Sequence, residues 1–427
     1  MQLDQATAEK LQQWERDLNA EYEQLQSRSL NLDLTRGKPS AEQLSLSNAM
    51  DGILAGDYTS ADGTDTRNYG GIDGIKEMKR LGAEILQVDD GEVLVGGNSS
   101  LTLMFQAVLH AYLFGFDGPQ SAWSRQQPVQ FVCPVPGYDR HFAICEQLGI
   151  EMLTVPMTAA GPDMDALENL VRNDPAIKGL WCVPKYSNPT GAVYSAAVVE
   201  RIAGLGRIAG AGFRVFWDNA YAVHDLGDTP AALASIMDCC RKQGTEDSVI
   251  QFASTSKITF AGAGVAFMAA SAANLNAFKG SLGIATIGPD KVNQLRHARL
   301  FPSLAALHDH MRKHAQIIKP RFACVLDQLE AAFGHCDLGR WESGSGGYFI
   351  SFSTRPGLAA EVVRLAAAAG VKLTPAGATF PYGRDPDDSN IRIAPTVPNV
   401  AELDTAMQVF VICVKLASVR QAIATRQ

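Results

Sequence analysis

An α/β fold, with a mostly parallel central sheet covered by helices on both faces and a smaller α+β domain beside it, is predicted by three features of this chain. From about Gly82 onward, short apolar runs alternate with helical patterns, as strand–helix–strand units require. Polar residues fall just after those runs, at Asn98, Tyr138, Asn188, Asp218 and Ser254, and open sheets of this kind bind ligands beyond the carboxyl ends of their strands. A long helical pattern over residues 305–333 then leads into a second, separate alternation of strand and helix.

Taken in order, the first 26 residues carry helical spacing, with Leu11, Trp14, Leu18 and Tyr22 on one side. Residues 31–40 read as an extended segment ending in Thr35-Arg36-Gly37-Lys38-Pro39, where glycine and proline stop regular structure. Strands are predicted at Val93-Leu94-Val95, Val129-Gln130-Phe131-Val132, Gly179-Leu180-Trp181-Cys182-Val183, Arg214-Val215-Phe216-Trp217 and Val249-Ile250-Gln251-Phe252. A helix is expected over 101–113. Beyond the long helix, strands near 347–352 and 391–393 are separated by an alanine-rich helix over 359–369. The large domain is assigned to residues 47–303, and the small one to both termini, 1–46 and 304–427.

At 427 residues the chain can hold two domains and a buried site, and 46% hydrophobic with 19% charged residues is ordinary for a soluble globular protein. A net charge of −8, with Lys and Arg scattered, leaves no basic footprint for nucleic acid. No apolar run reaches the roughly 18–20 residues that span a bilayer, and residues 1–26 lack a signal peptide's apolar stretch. A cytoplasmic protein with neither nucleic acid nor membrane as partner is expected. The eight cysteines form no C-x-x-C pair and no disulfide framework, and read as buried thiols, adjacent Cys239-Cys240 included. His310 and His314 form an i, i+4 pair beside His308. Without a fourth ligand they read as part of a charged, solvated helix face rather than a metal site.

Chemistry enters with three segments. Ser254-Thr255-Ser256-Lys257 places its lysine 39 residues after Asp218, and Ser187-Asn188-Pro189-Thr190-Gly191 places its asparagine 30 residues before that aspartate. Together they read as a pyridoxal-phosphate site. A lysine amine condenses with the cofactor aldehyde, a carboxylate keeps the pyridine nitrogen protonated, and an asparagine amide hydrogen-bonds the ring 3-oxygen. Gly96-Gly97-Asn98-Ser99-Ser100, between a strand and a helix, offers backbone N–H groups suited to a phosphate dianion.

On these motifs the chain resembles the fold-type I pyridoxal-phosphate enzymes. It is aspartate-aminotransferase-like, within the branch whose catalytic domain also occurs in MocR-type regulators. The resemblance runs from about Leu34 to Pro398 and implies the pyridoxal-phosphate-dependent transferase fold. It implies that Lys257 is the catalytic lysine, which holds the cofactor and then moves a proton at the substrate Cα. Asp218 matches the pyridinium partner, Tyr221 the tyrosine at the ring 3-oxygen, and Tyr138 the aromatic stacked on the ring. Gly97, Asn98, Ser99 and Ser254 match the phosphate contacts, with Ser256 as a helper. Arg392, in Asn390-Ile391-Arg392-Ile393-Ala394-Pro395, matches the arginine whose guanidinium fork grips the substrate α-carboxylate. Gly37 matches a backbone contact to that carboxylate, and Asn188 borders the substrate as well as the cofactor. Tyr69 matches the tyrosine that reaches the phosphate of a neighbouring subunit, which implies a homodimer with shared active sites.

The chain departs from the family pattern after the lysine. Ile258-Thr259-Phe260-Ala261-Gly262-Ala263-Gly264-Val265 contains no arginine, and Arg36 and Lys185 are the candidate replacements near the phosphate. The implied activity is ping-pong amino transfer from aspartate or a similar acidic amino acid to 2-oxoglutarate. Arg36 and Arg296 are candidates for the side-chain carboxylate. Two alternatives are a lyase or decarboxylase using the same cofactor and a pyridoxal-phosphate-sensing regulatory domain. Against the regulator, only about 30 residues precede the catalytic region.

Overall fold

The computed structural model describes residues 1–426. In chain order its strands are β1 (Leu32–Asp33), β2 (Val93–Val95), β3 (Gln130–Val135), β4 (Glu151–Thr158), β5 (Gly161–Pro162), β6 (Ile177–Cys182), β7 (Arg214–Asp218), β8 (Val249–Ser254), β9 (Ala266–Ala270), β10 (Gly339–Ser343), β11 (Ile350–Thr354), β12 (Val371–Lys372) and β13 (Asn390–Ile393). Eight of them make one sheet in the order β2-β9-β8-β7-β6-β3-β4-β5. Strands β3, β4, β6, β7 and β8 run parallel. Strand β9 is antiparallel to both of its neighbours, so β2 again points with the parallel set. The carboxyl ends of β2, β3, β6, β7 and β8 therefore lie along one edge, the edge from which the motif residues emerge.

Burial on both faces explains the apolar runs. Every residue of β6, β7 and β9 is buried, as in a sheet covered on both sides. Successive side chains point to opposite faces, so Phe216 joins a core with Phe131, Trp181 and Phe252, roofed by Met104 and Val108 of the helix Ser100–Leu113. Trp217 joins the other core, with Leu180 and Val249 under Ile202 of the helix Ala196–Gly204 and Met237 of the helix Ile236–Gln243.

A further core unites the chain termini. Leu11, Leu18 and Tyr22 of the helix Ala8–Gln26 pack in one cluster with Phe352, Ile391, Phe410 and Val414. Strands β10, β11 and β13 form an antiparallel sheet there, and β1 pairs with β12 in parallel. The helix Leu304–Phe333 connects the two sheets.

Five strands, β4, β5, β9, β10 and β12, lie outside the sequence expectation. Strand β4 carries polar and exposed positions along its length, and β9 is built from Ala-Phe-Met-Ala-Ala, whose Ala and Met favour helix when judged locally. Pairing between β2 and β8 decides the state of β9 instead. The histidine pair is a correction. His310 and His314 are 6% and 1% exposed, because this face of the long helix is covered by the segment following β8 and by the N-terminal arm. All eight cysteines are free thiols, with Cys240 buried and Cys239 half-buried.

Candidate active site

Strand β7 delivers Asp218 to the sheet edge, where its Oδ2 accepts a hydrogen bond from His141 Nε2 at 3.0 Å, both side chains being buried. His141 belongs to the helix Asp139–Gln147, and its ring lies flat on Trp181, 4.2 Å away at 8°. The other carboxylate oxygen, Asp218 Oδ1, is buried without any hydrogen-bond partner. A buried acceptor left unmet costs about 1–3 kcal/mol, so this position calls for a donor. The protonated nitrogen of a pyridine ring is such a donor. His141 was not singled out from the sequence, although its place three residues after Tyr138 at a helix start puts both rings on one side. The two rings meet edge to face at 4.9 Å.

Lys257 follows β8 by three residues, and its Nζ lies 4.8 Å from the Tyr221 ring centroid. Burial pushes the Tyr138 hydroxyl up to about 12, with the Lys257 charge opposing. Burial also raises Tyr221, reinforced by the Asp218 charge. Both phenols are therefore neutral donors at physiological pH. Asn188, buried just beyond β6, accepts from Arg392 through Oδ1 at 3.2 Å. Its amide N–H groups find no acceptor among the described residues.

The glycine-serine turn after β2 is stapled to the lysine segment. Ser256 Oγ donates to the Asn98 carbonyl at 2.7 Å, and Asn98 Nδ2 reaches the Gly262 carbonyl at 3.4 Å. Ser99 is the N-cap of the helix Ser100–Leu113 but makes no side-chain cap. The first N–H groups of that helix thus remain open to an anion. A Cβ built on Gly97 would meet nothing within 4 Å, which leaves room beside them. Ser254 closes β8, half-buried at the same edge.

At the end of the segment that carries no arginine, Val265 is buried and tied to Thr255. Its N–H donates to Thr255 Oγ1 at 2.8 Å, and its carbonyl accepts from Thr255 N–H at 2.8 Å. Lys185 is removed as a replacement. Its ammonium is buried against Asp225 at 3.0 Å and the Ala222 carbonyl at 2.9 Å.

Arg392, on β13, forms a second pole. Its Nη1 donates to Asp139 Oδ1 at 2.9 Å as well as to Asn188, Nε reaches Thr374 at 3.4 Å, and the guanidinium sits 5.0 Å from the Phe349 ring centroid. The open fork expected from the sequence is thus half occupied by Asp139, a partner sequence reading did not assign. Gly37 belongs to this pole, since a Cβ there would come within 2.5 Å of Phe349.

Three expected residues stand apart. Tyr69 is 82% exposed, and Arg36 and Arg296 are exposed. None of the three has a hydrogen bond or ion pair into the Lys257–Asp218–Arg392 cluster.

The sheet edge gathers a lysine, a buried aspartate with one oxygen unmet, an uncapped helix start and an arginine, and comparison with known proteins shows which family builds such a site. Residues 6–426 match the family model described as aspartate amino-transferase. The chain is 45% identical over 415 residues to the aspartate aminotransferase of Corynebacterium glutamicum, covering 96% of this chain and 95% of that one. A crystal structure of an aspartate transaminase from the same organism superposes with a TM-score of 0.94 at 44% identity, covering 99% of each chain. The 2-aminoadipate transaminase of Thermus thermophilus is 25% identical over 318 residues, 74% of each chain. The chain belongs to the aspartate aminotransferase family and is an aminotransferase. Among the described residues, no helix is long and apolar enough to cross a membrane.

Proposed function

We propose that this chain is a pyridoxal 5'-phosphate-dependent enzyme that transfers the amino group of aspartate, or another acidic amino acid, to a 2-oxo acid such as 2-oxoglutarate in a ping-pong cycle. The observation that carries the cofactor is the unpaired, buried Asp218 Oδ1, aimed where a ring N–H would satisfy it. The substrate class rests on the 45% identical relative bearing that name. When bound, the cofactor supplies an electron sink for the charge left at the substrate Cα.

In this reading Lys257 carries the cofactor and moves the Cα proton. Asp218, backed by His141, holds the ring nitrogen; Tyr221 and Asn188 donate to the ring oxygen; Tyr138 covers one ring face. Gly97, Asn98, Ser99 and Ser254 hold the phosphate, largely through backbone N–H groups, in keeping with the lack of an arginine after Lys257. Arg392 and the Gly37 backbone bind the α-carboxylate, with Arg36 at the entrance.

Residues 47–303 form the cofactor-binding domain, and 1–46 with 304–427 the smaller one. The finer kinship to the branch shared with MocR-type regulators belongs to the same proposal and rests on the sequence motifs. So does a cytoplasmic homodimer with shared sites. Its support is the exposure of three large apolar side chains, Tyr69 at 82%, Ile284 at 90% and Ile287 at 63%, with Gly70 and Gly288 in close approach beside Tyr69 and Ile287. The test is borohydride reduction of the yellow protein followed by peptide mapping, with the donor panel run in parallel. A pyridoxyl group on Lys257 and a preference for aspartate over alanine are expected. A label on another lysine removes the site assignment, and a preference for alanine or aromatic donors removes the acidic substrate.

A further inference from the structure

Beneath Lys257 lies a buried polar circuit that none of the roles above uses. Gln43, 0% exposed, comes from the N-terminal arm, within the short helix Ala41–Ser45 capped by Ser40. Its Oε1 accepts from the Ser40 N–H at 3.1 Å, completing a reciprocal capping box. That contact fixes which way the amide faces. The two hydrogens on Nε2 then point at Tyr348 Oη, 2.9 Å away, and at His314 Nδ1, 3.0 Å away.

Directions propagate from there. The Tyr348 hydroxyl, accepting from Gln43, has its own hydrogen free for the Lys257 carbonyl at 3.2 Å. His314, accepting at Nδ1, carries its proton on Nε2 and donates it to His310 Nε2 at 3.1 Å, so the neutral His310 ring keeps its own proton on Nδ1. Burial lowers both histidines, His314 to about 4, so each is neutral near pH 7. One amide thus sets the direction of the contact to the Lys257 carbonyl and of the His314–His310 contact beside it. Its partners lie 271 and 305 residues away in sequence.

The same arm also lines the Arg392 pole. Gly37, three residues before Ser40, abuts Phe349 under Arg392. Between them the arm is fastened to the smaller sheet's side of the protein: Thr396 Oγ1 donates to the Lys38 carbonyl at 2.8 Å, and Arg321 pairs with Glu42 at 2.5 Å.

We propose that Gln43 is a positioning residue: its capped amide orients the Tyr348 hydroxyl against the Lys257 carbonyl, and segment 37–43 thereby ties the carboxylate-binding pole to the lysine. This rests on the reading of Lys257 as the lysine that holds the cofactor. A lysine that must alternate between holding a cofactor and moving a proton depends on a fixed backbone from which its flexible stem can swing. Tyr348, held by Gln43, provides that fixation.

Two variants release the same carbonyl by different routes. Gln43→Glu keeps the Ser40 contact but has no donor for Tyr348, whose hydroxyl turns to the new carboxylate. Tyr348→Phe deletes the hydroxyl alone. In each, kcat is expected to fall roughly tenfold with KM for the amino donor within about twofold. The pH midpoint of the visible absorbance of the cofactor on Lys257 should shift in the same direction in both. The double variant should be no worse than the poorer single one, because both act through one contact. In the cofactor-free protein, amide exchange of residues 255–260 should quicken. If Gln43→Glu does not fold, Tyr348→Phe decides the matter through the absorbance midpoint and the amide exchange. A pyridoxyl label away from Lys257 in the wild type overturns the site reading and this inference together. A label on Lys257 with an unmoved midpoint, unchanged exchange or additive losses overturns this inference alone.

Discussion

Replacing Gly37 by alanine adds one methyl group, and the structure sets its consequence. Gly37 is not in the left-handed region, so alanine is not strained at the backbone and the effect isolates a single contact. The new Cβ would lie 2.5, 2.8 and 3.2 Å from three atoms of the Phe349 ring. Carbon atoms rest at about 3.5–4.0 Å, so the ring or the arm must retreat by roughly 1 Å. Phe349 is buried, and overpacking of this kind costs about 1–3 kcal/mol. The strain does not stay local, because the Arg392 guanidinium rests on that ring. A reacting group misplaced by about 1 Å loses on the order of a hundredfold in rate, or ~3 kcal/mol. Gly37→Ala is therefore expected to lower kcat/KM for the amino donor about a hundredfold, weaken inhibition by a dicarboxylate such as succinate, and leave cofactor content unchanged. Steady-state kinetics, a succinate titration and the cofactor absorbance measure the three. Wild-type kcat/KM with wild-type succinate affinity would refute the placement of Gly37 against the carboxylate pole.

Two further outcomes are expected. Arg392→Lys keeps one charge but cannot serve Asp139, Asn188 and a substrate carboxylate together, so kcat/KM should fall about a hundredfold, ~3 kcal/mol, at normal cofactor content; an unchanged value for every donor would move the carboxylate site elsewhere. Stability should fall with acid: buried His314 sits near 4 against an ordinary 6.5, and His310 and His224 are also lowered by burial. Folded pKa values below the unfolded ones mean that the unfolded chain takes up protons first, so this stability is full above about pH 6.5 and is lost as pH falls toward about 4, His314 alone contributing about 3 kcal/mol. Urea unfolding at pH 7.5, 6 and 5 measures it, and a flat profile would contradict neutral burial of these rings.

What could be read from the sequence follows the range of the interactions. Strands β3, β6, β7 and β8 were visible because burial on both faces writes an apolar run into the chain itself. The residues at their ends could then be placed by topology. Strand β9 was hidden because its Ala and Met residues suit a helix locally, and only its neighbours impose extension. The partners of Arg392 and the burial of His310 and His314 were hidden for the same reason: Asp139 lies 253 residues from Arg392, and Gln43 lies 271 from His314. No local pattern reports such pairings. Lys185 shows the converse, a cation whose nearby acid, Asp225, removes it from the site.

If Arg392 binds the substrate carboxylate as proposed, the Asp139–Arg392 pair gives that binding the character of an exchange. A naked guanidinium buried without a counter-ion would burden the empty enzyme by several kcal/mol, and Asp139 spares it that. An arriving carboxylate competes with a resident one, so its affinity reports the difference between two similar ion pairs rather than the strength of either. A departing product likewise leaves behind an arginine that is already satisfied. A transferase that must release an acid in each half of its cycle gains from this, because tight gripping would slow its own turnover.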